Sequence, residues 1–327
     1  MGDRVRLAVI GIGHLGRHHA RIAGALEGAE LVAVVDIDEQ RAAAAATATG
    51  AVARTNYREV IEQVDAVTIA VPTEQHRDIA LPFLERGISV LVEKPMARSL
   101  DEARELVAAA RASGATLAVG HTERYNPAVA AVLPLVTSPR FIEVHRLGAF
   151  PDRSLDIDVV FDLMIHDLDI ILALVGSEVE AIEAVGVPVL TPRYDIANAR
   201  LRFAGGCIAN VTASRISKER VRKIRFFQPD AYISIDYAAQ EVEGWRLVRH
   251  DGARPTIEGG PLPVERDEPL RREIADFVRA IRTRSAPVVD GEAGWRALEL
   301  ATRIAEKMHA GAHGLPPSSG SGGPPRF

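Results

Sequence analysis

Over roughly the first 120 residues, short apolar runs alternate with longer segments in which apolar side chains recur every three or four positions. The short runs fit buried strands, and the longer segments fit amphipathic helices. Strands that alternate with helices are typical of a parallel, doubly wound sheet. The predicted strands are 5–10, 31–35, 51–54, 66–71, 90–92 and 117–119, and the predicted helices are 15–26, 41–49, 57–63, 75–86 and 100–113.

The pattern changes after about residue 121, where strand-like runs follow one another with short turns between them. Such runs predict an antiparallel sheet, and the neighbouring helices would cover only one of its faces. The other face would be exposed in a monomer, so we expect it to form the interface of a homodimer or homotetramer. The predicted strands are 140–147, 179–187, 198–203, 207–214, 221–227, 232–236 and a candidate at 244–249, and the predicted helices are 127–136, 159–175, 270–284 and 294–310.

The two patterns divide the chain into two domains, as its length of 327 residues also suggests. We predict an α/β domain over 1–122 and an α+β domain with a large open sheet over 123–310. The stretch 311–327 is rich in Gly, Ser and Pro, a composition that predicts a disordered tail. A capping box of Ser99 and Glu102 is predicted to begin the helix over 100–113.

A glycine-rich turn joins the first predicted strand to the first predicted helix, and the second strand ends on Asp36. Gly11 permits a tight turn, Gly13 lets the backbone approach a pyrophosphate, and Gly16 lets helix and strand pack closely. The helix N-terminus would face the phosphates. Asp36 would accept hydrogen bonds from both hydroxyls of an adenine ribose, which favours NAD over NADP. Arg41 is either a partner for a 2′-phosphate or a solvated helix residue. We predict a Rossmann domain that binds NAD through Asp36 and through the turn residues Gly11, Ile12, Gly13, His14, Leu15 and Gly16.

Composition and charge narrow the class of protein. Acidic and basic residues nearly balance, with a net charge of −5 at pH 7, so nothing indicates a nucleic-acid-binding surface. The single cysteine, Cys207, excludes a disulfide framework and a cysteine-based metal site. The chain passes from Met1-Gly2-Asp3-Arg4 directly into a strand, and no apolar run approaches the roughly 20 residues of a membrane span. We therefore expect a cytoplasmic protein without a signal peptide.

Two further strand ends carry candidate chemistry, because ligands of open parallel sheets bind outside the carboxyl ends of the strands. One strand ends at Pro72-Thr73, which is followed by His76. The other ends at Glu93-Lys94-Pro95, a charged pair directly after a buried strand. We assign Pro72, Thr73, His76, Glu93 and Lys94 to the nicotinamide side of the coenzyme site.

Lys94 is a candidate proton acceptor. The chain has 39 basic residues, and only four of them are lysines. A lysine amine can lose its proton, whereas a guanidinium effectively cannot. A partly desolvated amine beside a cationic nicotinamide ring would accept a proton near neutral pH. The alternative is that Glu93 and Lys94 form a local ion pair that ends the strand.

Asp162, His166 and Asp169 form a polar stripe on a predicted helix that is otherwise almost entirely apolar. Buried polar side chains must find partners, and a carboxylate one turn from an imidazole would fix its tautomer and raise its basicity. We interpret the stripe as part of an active site. A solvated face and a metal site are the alternatives, but hydride transfer to NAD needs no metal, so we expect none.

Candidate substrate ligands lie at the domain junction and on the second sheet. Arg124, Tyr125 and Asn126 occupy the junction, where a substrate would enter. Because side chains alternate along a strand, only part of a basic run that follows can share one face. That run is either a solvated sheet edge or a site for an anion such as the diphosphate of a nucleotide-sugar. Its members are Arg215, Lys218, Arg220, Arg222, Lys223 and Arg225.

Over roughly residues 4–310 the chain resembles the glucose-fructose oxidoreductase, inositol dehydrogenase and MocA family. The resemblance implies a Rossmann domain, an open-faced second domain, dimers or tetramers built on that sheet, and oxidation of a sugar or cyclitol hydroxyl. By motif position, Lys94 and His166 would be the acid–base candidates and Asp162 their partner. The family resemblance rests on four motifs: the glycine turn, Ala70-Val71-Pro72-Thr73 with His76, Glu93-Lys94-Pro95, and Asp162-x-x-x-His166-x-x-Asp169.

Within this family, the stretches 120–127, 154–158 and 214–236 resemble enzymes that oxidise the 3-hydroxyl of UDP-N-acetylglucosamine. Those enzymes supply a 3-keto sugar to an aminotransferase on the route to a diamino sugar of lipid A. The resemblance implies a nucleotide-sugar substrate, with Arg124 and Arg222 among the residues that hold it, and functional coupling to a sugar aminotransferase. An inositol or free-sugar dehydrogenase is the first alternative. A non-catalytic, cofactor-sensing regulator is the second, and it would be expected to lack the lysine or the histidine.

Overall fold

A computed structural model describes residues 4–150, 157–250 and 254–312. Its first sheet has six parallel strands in the order β3-β2-β1-β4-β5-β6, which confirms the predicted doubly wound sheet. The strands are β1 (Val5–Ile10), β2 (Ala29–Val35), β3 (Val52–Arg54), β4 (Ala66–Ile69), β5 (Ser89–Glu93) and β6 (Leu117–Gly120). The helices between them are α1 (Gly16–Ala25), α2 (Glu39–Thr49), α3 (His76–Leu84) and α4 (Leu100–Ser113), with 3₁₀ turns at Tyr57–Gln63 and Thr73–Gln75.

Local chemistry determines where these helices begin and end. Asp38 begins α2 by accepting two backbone N–H groups, and Gly50 ends it in the left-handed conformation. Ser99 begins α4 by accepting the backbone N–H of Glu102. The predicted capping box is only half formed, because the Glu102 carboxylate accepts the backbone N–H of Arg98 instead of that of Ser99.

The second sheet has eight strands in the order β14-β13-β12-β11-β7-β10-β9-β8. Its neighbouring strands are antiparallel except β7 and β10, which run parallel. The edge strand β14 is not predicted from the sequence, because its residues are mostly exposed and include two glycines and a proline. The strands are β7 (Phe141–Leu147), β8 (Val179–Val187), β9 (Ile196–Phe203), β10 (Ile208–Ser214), β11 (Val221–Phe227), β12 (Ala231–Asp236), β13 (Glu241–Val248) and β14 (Thr256–Leu262).

Helices cover one face of this sheet and bury a large apolar core beneath them. They are α5 (Pro127–Val132), α6 (Ile165–Val175) and α8 (Gly291–Ala312), preceded at α6 by a π-helical turn over Val160–Met164. The predicted helix over 159–175 is helical throughout and ends at Gly176 as expected, but its first turn is π-helical instead of α-helical. There the Ile165 N–H donates to the Val160 carbonyl, five residues back instead of four. Such turns are frequent at functional sites.

Helix α7 (Pro269–Thr283) follows the second sheet in sequence but packs on the first one. Its residues Ile274, Phe277 and Val278 share a core with β1 and α1. Helix α8 likewise contacts α4 and β6 as well as the second sheet. The predicted division at residue 122 stays a prediction. The predicted tail beyond residue 312 and the stretch 154–156 lie outside the described residues.

The second sheet has one covered and one open face. On β7 the covered face carries Ile142 and Val144, which belong to the buried core. Phe141 precedes them on the opposite face, because side chains alternate along a strand. Its ring contacts that of Phe227, which in turn contacts Tyr232, at centroid distances of 5.5 and 5.2 Å. This open face is the predicted subunit interface, and that assignment stays a prediction.

Every helix of the described residues is too short or too polar to span a membrane.

Candidate active site

The glycine turn between β1 and α1 has the geometry that a pyrophosphate requires. Gly11 has a φ of +86°, and a Cβ there would lie 2.7 Å from Val71 Cγ1. A Cβ on Gly16 would lie 1.7 Å from the Gly11 carbonyl oxygen, so the absence of a side chain lets the start of α1 pack directly against the backbone of the turn. A Cβ on Gly13 would meet nothing within 4 Å, which leaves the backbone open to a ligand. Helix α1 has no side-chain cap and no acidic residue in its first turn, so its positive end is available to phosphates.

A cleft of about 650 Å³ opens beside this turn, a volume within the range of cofactor sites. Ile12 is the turn residue whose side chain is buried in the core instead. Thr73 follows Pro72 in the 3₁₀ turn at the end of β4. The cleft is lined by six of the predicted coenzyme residues, namely Gly11, Gly13, His14, Leu15, Asp36 and Pro72, and also by Ile37, Arg41, Tyr57 and Gln75.

Asp36 holds the turn as well as lining the cleft. One carboxylate oxygen accepts the Ile12 N–H at 2.7 Å, and the other accepts the Asp38 N–H at 2.8 Å. Arg41 lies 3.2 Å from the same carboxylate and also pairs with Asp38, while half of its side chain remains exposed. Arg41 is thus more than a solvated helix residue, because it contacts the acid that would bind the ribose.

His76 and Glu93, which we also assign to the coenzyme, are absent from the lining of this cleft. The ring nitrogens of His76 lie 3.0 Å from the Pro95 carbonyl and 2.9 Å from the Val71 carbonyl. Burial lowers the pKa of His76, and its ring lies between the ends of β4 and β5. Glu93 is also buried, and its carboxylate lies 2.9 Å from His19 Nε2. The structure therefore places His76 and Glu93 behind the site, since their polar atoms are already engaged by the protein.

Lys94 points in a different direction from Glu93. Its ammonium nitrogen donates to the Asp162 carbonyl at 2.7 Å and lies 3.4 Å from the Asp162 carboxylate. The contact between Glu93 and Lys94 involves the backbone N–H of Lys94, at 3.2 Å, and not its side-chain amine. The alternative of a local ion pair at the end of β5 is therefore wrong, and the Lys94 amine belongs to the junction with the second domain.

This contact brings the two acid–base candidates together. Asp162 lies in the π-helical turn, and His166 follows it by four residues at the start of α6. The Lys94 ammonium lies beside Asp162, and its charge acts on the His166 imidazole. Burial, followed by the charges of Lys94 and Arg146, lowers the pKa of His166 well below its ordinary value. His166 is therefore neutral at neutral pH.

The predicted partnership between the stripe's carboxylates and His166 does not form. Neither Asp162 nor Asp169 accepts a hydrogen bond from the imidazole among the described residues, and His166 Nδ1 is buried without a partner there. The nearest ring is that of His121, which stands edge-on at a centroid distance of 6.1 Å. The π-helical turn alters the helical spacing on which that prediction depended.

The junction residues are structural in this arrangement. Arg124 makes two hydrogen bonds of 2.9 Å to the buried carboxylate of Asp169, so its charge is already neutralised. The Tyr125 hydroxyl donates to Asp276 at 3.0 Å. Asn126 begins α5 and donates to a backbone carbonyl of the second domain. The prediction that Arg124, Tyr125 and Asn126 contact the substrate is not supported, because all three are largely buried and have protein partners.

A buried arginine that we did not single out lies beside this site. Arg146 makes hydrogen bonds of 2.6 and 3.0 Å to Asp167 and one of 3.0 Å to Glu123. Burial opposes its charge, but these carboxylates keep the pKa of Arg146 above its ordinary value. Its guanidinium also stacks over the Tyr237 ring at 5.2 Å. The signal in the sequence is a charged residue at an inward position of β7, where the alternation predicts an apolar one.

Arg222 is the member of the basic run that faces the site. It pairs in register with Arg146 across the two strands, remains 54% exposed, and lies 4.0 Å from Glu123. Its charge contributes to the lowered pKa of His166. Lys223 and Arg225 pair with carboxylates on the open face, Lys218 and Arg220 are exposed in a turn, and Arg215 is buried against Asp195.

Comparison with known proteins agrees with this geometry. The model for the oxidoreductase family with an NAD-binding Rossmann fold matches residues 5–121, and the GFO/IDH/MocA C-terminal domain matches residues 136–232. A UDP-N-acetylglucosamine 3-dehydrogenase from Acidithiobacillus ferrooxidans is 36% identical over 312 residues, which cover 94% of this chain and 98% of that protein. The chain belongs to the GFO/IDH/MocA oxidoreductase family.

One further relative and two solved structures are similar to the chain. A structure of the Acidithiobacillus ferrooxidans dehydrogenase has a TM-score of 0.88 and 35% identity, and the match covers 94% of this chain and 98% of that one. The scyllo-inositol 2-dehydrogenase (NAD(+)) of Bacillus subtilis is 31% identical over 66% of this chain and 69% of its own length. An aldose-aldose oxidoreductase from Caulobacter crescentus, with 21% identity and a TM-score of 0.81, shares the fold, and the match covers 94% of this chain and 98% of that one. The predicted family, fold class, enzyme class and coenzyme are thereby confirmed.

Proposed function

We propose that this GFO/IDH/MocA oxidoreductase oxidises the 3-hydroxyl of a nucleotide-activated sugar, UDP-N-acetylglucosamine, to a 3-keto sugar. The observation that carries the proposal is the juxtaposition of the Lys94 amine with the helix that bears Asp162 and His166. The chain is also 36% identical, over nearly its whole length, to an enzyme named for that reaction. The substrate would be oxidised in the space between these side chains and the glycine turn.

NAD, when bound, supplies the hydride acceptor for the hydrogen on C3, which leaves with its bonding electron pair. The residues that would hold this coenzyme are those of the glycine turn with Asp36 and Pro72. Lys94 and His166 would hold the hydroxyl in line and take its proton as the carbonyl forms. The sugar thus gives up a hydride and a proton, and the proton passes to solution through these two side chains. Asp162 would orient the Lys94 amine through its carbonyl and carboxylate oxygens.

Charge at the sugar site favours a substrate with an anionic group. Arg222 is half exposed, and its charge contact within the described part of the chain is a long one, 4.0 Å to Glu123, so it is available to a diphosphate. The second candidate, an inositol or free-sugar dehydrogenase, is favoured by the neutralised state of Arg124, which removes one of the two cations that we assigned to the diphosphate. We also propose a cytoplasmic homodimer or homotetramer built on the open sheet, whose product is consumed by a sugar aminotransferase.

The test is to incubate the purified protein with NAD and UDP-N-acetylglucosamine that carries deuterium at C3. We expect NADH to form and to contain the deuterium, as mass spectrometry would show. Adding a sugar aminotransferase with an amino donor should increase the yield by removing the keto sugar. Free N-acetylglucosamine and inositols are the matched controls. Turnover of the controls alone would replace the nucleotide-sugar with the second candidate, and no turnover of any of them would refute the proposal.

A further inference from the structure

A buried cluster of three titratable side chains lies behind Lys94, and none of them is among the groups that we propose to contact the substrate. It consists of His19 on α1, Glu93 at the end of β5 and Glu273 on α7, which are 0%, 5% and 1% exposed. A nitrogen or oxygen atom from each lies within 4.8 Å of the others. The cluster joins three elements that are far apart in sequence, at the strand end that carries the candidate proton acceptor.

The Glu93 carboxylate links this cluster to Lys94. One oxygen lies 2.9 Å from His19 Nε2, and the other accepts the backbone N–H of Lys94 at 3.2 Å. Because an ionised carboxylate only accepts hydrogen bonds, His19 Nε2 is the donor in this contact. A Cβ on Gly120 would lie 2.9 Å from Glu93 Oε2, so this glycine leaves room for the carboxylate. Glu93 thus fixes the peptide from which the Lys94 side chain extends.

Glu273 is the unexplained member of the cluster. Neither of its carboxylate oxygens has a hydrogen-bond partner among residues 4–150, 157–250 and 254–312. The titratable groups that face it are Glu93 and His19, Tyr125 from the domain junction, Asp169 from α6, and Asp276 on its own helix, with the Thr122 hydroxyl beside them. Three of these five groups are carboxylic acids. Two carboxylates this close in a dry interior cannot both be ionised at neutral pH.

We propose that His19, Glu93 and Glu273 form a positioning cluster for Lys94, in which Glu93 is ionised and Glu273 holds one proton. The inference rests on the proposed function only where it concerns Lys94. Burial, followed by the charge of Glu93, raises the pKa of Glu273 well above its ordinary value. Burial opposes the ionisation of Glu93, but the hydrogen bond and charge of His19 and the charge of Lys94 hold the pKa of Glu93 below its ordinary value.

A divalent cation is the competing occupant, because one imidazole and two carboxylates are suitable ligands. Two observations favour the proton. The separation of 2.9 Å between His19 and Glu93 is that of a direct hydrogen bond. A histidine that binds a metal usually donates its other N–H to a second acceptor, whereas His19 Nδ1 has no partner within the described chain.

The test compares two isosteric variants by thermal unfolding between about pH 5 and pH 8.5. Glutamine is neutral, so Glu273→Gln mimics the proposed state without its pH dependence. A raised pKa in the folded state means that wild-type stability is lost as pH rises from the unfolded value toward the folded one. We therefore expect the Tm of Glu273→Gln to exceed that of the wild type by at least about 2 °C at the upper pH, with a gap that narrows toward acid.

Glu93→Gln should show the opposite behaviour. A lowered pKa in the folded state means that stability is present above the unfolded value and is lost only in acid. The Tm of Glu93→Gln should therefore lie below that of the wild type, with a gap that narrows toward the upper pH, because Glu273 ionises more easily without the Glu93 charge and costs the variant less stability there. In the double variant the gain from Glu273→Gln should shrink, because the charge that opposes ionisation of Glu273 has gone. Glu62→Gln, at an exposed position, is the control for loss of a carboxylate.

The link to Lys94 has its own measurement. Glu93→Gln should lower kcat by at least about tenfold while the Kd for NAD changes by less than about threefold, since the amide keeps only one of the two oxygens that accept from His19 and from the peptide of Lys94. The unfolding experiments need no substrate, so they decide the cluster even if the proposed sugar is wrong. A Glu273→Gln variant that is less stable than the wild type at every pH would overturn the proposal. So would a stoichiometric metal ion found by elemental analysis of the purified protein.

Discussion

The coenzyme half and the sugar half of the site hold their charged side chains in different ways. In the coenzyme half, Asp36 is held by backbone N–H groups of nearby loops and lines an open cleft. In the sugar half, Arg124 and Arg146 are held by carboxylates on α6 and are buried. The first arrangement leaves a charged group available to a ligand. In the second arrangement the charged pairs mainly hold helix α6 against its neighbours. We therefore assign the contacts with substrate to Lys94, His166 and Arg222.

Removing the Lys94 amine should have the largest effect on turnover. We expect Lys94→Ala to lower kcat by about a thousandfold, within the usual range for loss of an acid–base group. The Kd for NAD, measured by titration, should hardly change, because the glycine turn and Asp36 are untouched. Lys94→Arg is the control that keeps the positive charge but cannot lose its proton. A parallel loss of NAD binding would show that Lys94 belongs to the coenzyme half instead.

Breaking the pair between Arg124 and Asp169 should instead affect stability. Arg124→Ala leaves a buried carboxylate without its partner, which costs about 3–5 kcal/mol of unfolding free energy. Urea denaturation measures this loss. Replacing both residues with leucine should recover part of it, since no charge is then left unpaired. If Arg124→Ala were as stable as the wild type and only its KM rose, Arg124 would be a substrate ligand after all.

Arg222 should behave as the converse of Arg124. We expect Arg222→Ala to raise the KM for UDP-N-acetylglucosamine about tenfold, because one charge-assisted contact to the diphosphate is lost. Its unfolding free energy should stay within about 0.5 kcal/mol of the wild type, as is usual for an exposed side chain. Arg225→Ala, on the open face of the same strand, is the matched control. An unchanged KM in Arg222→Ala would favour a free-sugar substrate.

The smallest expected effect concerns pH. Burial and the charges of Lys94 and Arg146 hold the pKa of His166 well below its ordinary value, so His166 stays neutral as pH falls toward 6.5. Activity lost through protonation of His166 should therefore appear only below that pH, in a profile of kcat/KM. Arg222→Ala removes a positive charge from the neighbourhood of His166, so this acid limb should move slightly to higher pH. A limb that moved to lower pH would contradict the assigned arrangement.

The same contrast explains which features the sequence could reveal. The glycine turn and Asp36 are determined by residues within one βαβ unit, so their spacing is visible in the chain. Arg124 meets Asp169 across 45 positions and Arg146 meets Asp167 across 21, and no local pattern reports such pairs. The π-helical turn at Val160–Met164 depends on a single shifted hydrogen bond, which helical periodicity does not detect.

Some of what we missed did leave a signal. Glu273 stands on the apolar stripe of α7 beside Ile274 and Phe277, where an acid is out of place. Arg146 is a second example, a charged residue at an inward position of β7 where the alternation predicts an apolar one. A charged residue at a position that the pattern assigns to the core indicates a buried partner elsewhere in the chain, although it does not identify that partner.

Helix α7 has a consequence for biosynthesis. The core around β1 is completed by Ile274, Phe277 and Val278, which a ribosome adds about 150 residues after the last strand of that sheet. The apolar surface beside β1 in the nascent coenzyme domain therefore stays exposed while the whole second sheet is translated. A chaperone that shields this surface until α7 arrives would be expected to raise the yield of native enzyme.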